Sequence, residues 1–184
     1  HLRVPRTLLA ATAGAGLAVG GVIFQALFRN PLAEPYTLGV AGGASLAAAL
    51  GFLFGWRGAG WTGVPWSVLL AWGGALGALG LVYLVSRLRP GRDMARLLLA
   101  GVCVAYMCSA GILLVTYLAD RAVTNEIVLW MMGSLGVLRP RAGLEVALVL
   151  APVLAYGLYS HRALDLLTFG DDVAAARGVN VSRT

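Results

Sequence analysis

Long apolar runs alternate with short polar connections along almost the whole chain. Residues 7–28, 36–56, 64–86 and 97–119 contain no Asp, Glu, His, Lys or Arg. Each reaches the roughly 20 residues that a helix needs to cross a hydrocarbon core about 30 Å thick. A fifth run, 144–159, is shorter and carries Glu145. It can still span if Arg141 and Arg162 extend their guanidinium groups toward opposite headgroup layers. The apolar segment 127–138 is too short to cross and predicts a re-entrant or interfacial helix. The pattern therefore predicts an all-α, polytopic membrane bundle of about five spans over residues 1–159, followed by a cytoplasmic segment, 160–184.

The connection between the first two runs, within QALFRNPLAEPYTLGVAGGAS, holds more polar residues than a turn requires. Asn30 is expected to close the helix that ends near Phe28, and Pro31 cannot continue it. Pro35 makes Glu34 extended. Gln25 is the main strongly polar side chain near a span interior and is expected to donate an interhelical hydrogen bond. Gly16 with Gly20, Gly39 with Gly43, Gly51 with Gly55, and Gly73 with Gly77 have the spacing that lets helix backbones approach closely in lipid. Pro152 removes one backbone donor from the fifth span and is expected to kink it.

Composition agrees with the pattern. The chain is 59% hydrophobic, against about half in soluble domains, and its mean hydropathy is +0.82. It opens at His1 without an initiating Met and closes on VNVSRT without a terminal span, so it is expected to be a fragment. No cleavable signal peptide is visible, because the first run exceeds the h-region length of such peptides.

All fourteen basic residues are Arg and the net charge is +6. They punctuate the apolar runs instead of forming a basic face with interleaved aromatics, so they face headgroups and not nucleic acid. Five spans place six arginines on one side and eight on the other, and the short connection RLRPGRDMAR alone carries four. Short loops weigh most in the positive-inside rule, so that side is assigned to the cytoplasm. The turn at 29–35 is then cytoplasmic, and HLRVPR lies outside.

The chemistry available is sparse. Uncharged spans argue against an ion-coupled transporter and against a membrane enzyme with an intramembrane acid, base or metal. Cys103 and Cys108 sit about 140° apart around one predicted helix, which favours neither a disulfide nor a shared metal. Two histidines, His1 and His161, cannot assemble a zinc ligand set, and no cofactor is expected. The nucleotide loop GxxxxGK[ST] is impossible without lysine, so uphill transport would need a partner's ATP hydrolysis. Near the end, Asp171 and Asp172 suit a helix N-terminus, Arg177 its last turn and Gly178 the residue just past it. Leu164, Leu167 and Phe169 precede that short helix as apolar anchors. Taken alone, Arg3 and Arg6 are ordinary headgroup anchors.

Arg3, Pro5 and Arg6, then Gly21, Gln25, Asn30, Pro31, Leu32, Ala33, Pro35, Leu38 and Gly39, reproduce an R-x-P-R element followed by G-x-x-x-Q-x-x-x-x-N-P-L-A-x-P-x-x-L-G. LLLAGV at 97–102, WMMGSLG at 130–136 and LDLLTFGDDVAAARGVNV at 164–181 follow in order. From end to end the chain resembles the FecCD-type permeases, membrane subunits of ABC importers for iron-siderophores, haem and vitamin B12. The resemblance implies spans two to six of a ten-span permease in the bacterial inner membrane, without covalent chemistry of its own. It implies a partner ABC ATPase, a periplasmic or lipoprotein substrate-binding protein, and a homodimer with a second permease. By the same resemblance Leu164, Leu167, Phe169, Gly170, Asp171, Arg177 and Gly178 form the ATPase-coupling segment, and Arg3 and Arg6 pair with acids on the binding protein. Gln25, Asn30, Pro31, Glu34 and Pro35 form the family's turn. Two other classes stay open: a secondary transporter whose charged residues lie in a missing half, and a non-transporting membrane scaffold.

Overall fold

The structure, a computed structural model, describes residues 3–58, 60, 64–87, 94–133, 142–170 and 176–177. In chain order these form α1 (Arg3–Phe28), a 3-10 turn (Pro35–Leu38), α2 (Val40–Leu53), α3 (Trp66–Arg87), α4 (Met94–Leu118), α5 (Arg121–Met131) and α6 (Ala142–Thr168). No strand occurs among the described residues. Four segments are long and apolar enough to cross a bilayer: Arg6–Phe28, Trp66–Arg87, Ala95–Leu118 and Val146–Thr168.

Four boundaries differ from those expected, each for a local reason. The helix α1 already begins at Arg3, because Pro5 falls in the first turn, where its missing N–H would have no intrahelical partner. Residues 36–56 yield only the 14-residue α2, about 21 Å long and short of a full span. Its start is displaced by the 3-10 turn, and its end is fixed by Gly55 at φ 75°, with Gly55 N–H donating to Phe52 O and Trp56 N–H to Gly51 O. The short helix expected at 127–138 starts earlier, as α5, because the Asp120 carboxylate accepts from Val123 N–H at 2.8 Å. Its expected last residues, 134–138, lie outside the described residues. The helix expected at 144–159 is α6, 27 residues long, which continues through Pro152 and past the boundary expected at 159–160. Ser160, His161 and Arg162 do not break it; it stops where Phe169 N–H reaches Leu166 O and Gly170 N–H reaches Leu167 O.

The chain divides into two compact units. In the first, α1 packs on α6 with Leu150 lying over Gly16 and Val19 over Gly157. Gly20, expected to share the first of these contacts, has open space beside it.

In the second unit, residues 35–134, α2 touches α3, α4 and α5. A methyl group at Gly43 would lie 2.5 Å from Gly74 O and 2.6 Å from Ala78 Cβ, so the α2–α3 crossing depends on both positions lacking a side chain. The α3 pair expected from spacing, Gly73 and Gly77, instead faces open space, one position away from the glycine that makes the contact. At the other end of α2, Ala49 packs with Val115, Val123 and Ile127, the last only 1% exposed. An ion pair closes this end, with Arg57 Nε 2.9 Å from Glu126 Oε2. That contact joins the α2–α3 connection to α5.

Candidate functional site

The polar connection after α1 is built by short-range hydrogen bonds. Arg29 takes the left-handed conformation at φ 50°, its N–H donating to Ala26 O at 3.4 Å. Asn30 N–H donates to Gln25 O at 3.2 Å, completing a Schellman closure. Arg29 thus occupies the left-handed position expected for Asn30. Asn30 is instead the first residue of the next turn: Ala33 N–H donates to its carbonyl at 3.0 Å, and Leu32 N–H to its Oδ1 at 2.9 Å. Asparagine at the first turn position and proline at the second are what such a turn favours.

Gln25 ties the two closures together. Its Nε2 donates to Pro31 O at 3.1 Å, so the bond expected to join two helices joins α1 to its own turn. Ala33 is buried, whereas Leu32 at the tip is 82% exposed, and Glu34 is exposed beside Pro35.

The following residues are held differently. A methyl group at Gly101 on α4 would lie 2.5 Å from Thr37 O and 2.7 Å from Leu38 Cα. Gly39, at φ 72°, has Gly101 O and Ala105 N each 3.0 Å from where a methyl group would sit. The L-G of the first motif and the A-G of LLLAGV therefore meet, backbone against backbone. Sequence reading found both motifs and missed their contact; paired small residues flanked by apolar ones were the available signal.

At the end of α6, Leu164 and Leu167 are buried, so neither offers an exposed anchor. Phe169 is 73% exposed, and Gly170 has φ 117°, a conformation that L residues with side chains rarely adopt. Arg177 is exposed next to Ala176; Asp171, Asp172 and Gly178 lie outside the described residues. Arg3 and Arg6 are in the first turn of α1, and Arg6 is exposed. No cluster of metal-ligating side chains occurs among the described residues.

Four helices long and apolar enough to cross a bilayer, with side-chain-free close contacts among their neighbours, define a multi-pass membrane protein. The model of the FecCD transport family matches residues 1–184, and the chain belongs to that family. It is 37% identical to the hemin transport system permease protein HmuU of Yersinia pestis, over 98% of this chain and 54% of HmuU. It is 38% identical to the vitamin B12 import system permease protein BtuC of Serratia proteamaculans, over 98% of this chain and 52% of BtuC. A metal-chelate-type ABC transporter solved in an inward-facing conformation superposes with a TM-score of 0.78 at 31% identity, over 98% of this chain and 56% of that one. The chain spans about half the length of the relatives it matches. It belongs to a transport family, and four of its helices are long and apolar enough to cross a membrane.

Proposed function

We propose that the chain is part of the permease subunit of an ABC importer that moves an iron-siderophore, haem or cobalamin chelate inward. A partner ATPase supplies the energy, since the chain has no nucleotide loop of its own. The observation that carries this reading is the end-to-end match to the family, whose HmuU and BtuC members are by name permeases of hemin transport and of vitamin B12 import. Transport does no covalent chemistry. Nucleotide-driven closure of the ATPase moves the segment after α6, and the packed helices follow, alternating access to the pathway.

Within that segment the geometry favours Phe169 and Gly170 as the contact and its joint. Phe169 is exposed apolar surface, whereas Leu164 and Leu167 act by holding the end of α6 in place. At the opposite end of the chain, Arg3 and Arg6 receive an acidic binding protein, steering it before close contact forms. The pathway forms with a second permease subunit.

The test is reconstitution of the full-length permease with its ATPase and binding protein in proteoliposomes. Phe169→Ala should lower ATP-dependent uptake about tenfold, the effect of losing one strong interface anchor, while the ATPase alone keeps its basal rate. Uptake driven by a proton gradient without ATP would replace this reading with a secondary transporter.

A further inference from the structure

Between the C-terminal half of α3 and the N-terminal half of α4 lies an open groove of about 570 Å³. Its walls are apolar, formed by Val85, Leu99, Val104 and Met107 among others, and Ser86 and Arg96 lie at one end. From Arg96 to Met107 the helical rise gives a length of about 16 Å. At the same end the Arg87 guanidinium stands 4.5 Å above the Tyr83 ring. The connecting sequence 87–96 carries four arginines and a single aspartate, and its side of the membrane is the cytoplasmic one by the positive-inside rule.

We infer that this groove holds one acyl chain of an anionic phospholipid, its phosphate placed at Arg96. An apolar channel in the hydrocarbon region has no hydrogen-bonding partners to offer a polar solute, so the occupant within it is a hydrocarbon chain. The Arg96 guanidinium at its mouth has several N–H donors suited to a phosphate oxygen, whereas the Ser86 hydroxyl beside it already donates to Tyr83 O at 2.8 Å. Basic pockets between membrane helices on the cytoplasmic side select anionic headgroups by the same logic. The charge at the mouth is what separates this ligand from a zwitterionic lipid, which would fill the groove equally well but gain less at Arg96. Lipid at this site would brace α3 against α4, the helix whose Gly101 contact holds the turn Pro35–Leu38.

Native mass spectrometry of the full-length permease, purified from nanodiscs of equal phosphatidylglycerol and phosphatidylcholine, tests the proposal. The wild type should retain phosphatidylglycerol preferentially. Arg96→Gln should reduce that retention about fivefold, the worth of one arginine near an anionic surface, while Arg96→Lys keeps most of it. Cys103→Trp, at an exposed position in the groove wall, should expel the lipid without changing elution or thermal unfolding. Equal retention of the two lipids by the wild type, or no response to either Arg96→Gln or Cys103→Trp, would overturn it. So would efficient disulfide cross-linking of Cys103 between two copies in the membrane, which would make the groove a protein interface.

Discussion

The segment after α1 and the segment before α2 are adjacent in sequence but immobilised by different physics. Residues 25–33 are held by a ladder of hydrogen bonds, each between partners within six residues. Residues 37–39 have local backbone bonds too, yet their position on α4 is fixed by shape, with Gly101 and Gly39 leaving room for one backbone to lie on another. Hydrogen bonds at an exposed turn contribute about 1 kcal/mol each and can be lost singly. A close backbone approach has no such gradation, since a side chain placed there must displace main chain.

Gly101→Val breaks the comparison most strongly. Its Cβ would meet Thr37 O and Leu38 Cα, neither of which is the movable end of a flexible side chain. A loss of at least about 3 kcal/mol is expected, at the upper end of overpacking effects. Thermal unfolding in lipid nanodiscs would measure it, and a variant as stable as wild type would show that α4 and the 3-10 turn are not in this contact.

Gln25→Leu probes the other mechanism at lower cost. It removes the donor to Pro31 O while keeping a side chain of similar length. Because the turn is exposed, water replaces the lost partner and the expected destabilisation is about 1 kcal/mol. Substituting Asn30→Ala as well should cost more than the two single effects together, because both residues hold the same turn. Simple additivity in a double-mutant cycle would mean that the hydrogen bonds act independently.

Much of this was legible in the sequence, and the gaps follow from what a sequence encodes. Spans could be read because uninterrupted apolar length is a property of one segment, as in α3 and α4. The truncation of α2 could not, since it depends on which glycines adopt positive φ, and Gly39 and Gly55 do so while Gly43 and Gly51 remain helical. Gln25 was singled out for its polarity, but its partner depended on a turn geometry that spacing alone does not give. The close crossing was placed at Gly73 and Gly77 because periodicity cannot fix the rotation of a uniformly apolar helix; Gly74 faces α2 instead. Burial of Leu164 and Leu167 went unread for a related reason, since α6 continues nine residues beyond the expected end and carries them with it.

The smallest effect gives the sharpest test of the hydrogen-bonded closure. Arg29 has φ 50°, where a Cβ crowds the backbone and glycine is normally found. Arg29 also has interactions beyond its backbone closure, so replacing it by glycine alone would mix two effects. Arg29→Gly and Arg29→Ala both remove the guanidinium and differ only in the Cβ. If the left-handed closure holds in the membrane, the glycine variant is more stable than the alanine variant by about 1 kcal/mol. Alanine normally has the opposite advantage, because glycine gains more conformational freedom on unfolding. A glycine variant no more stable than alanine would therefore place Arg29 at negative φ, and the Schellman closure with Asn30 N–H on Gln25 O would be lost with it.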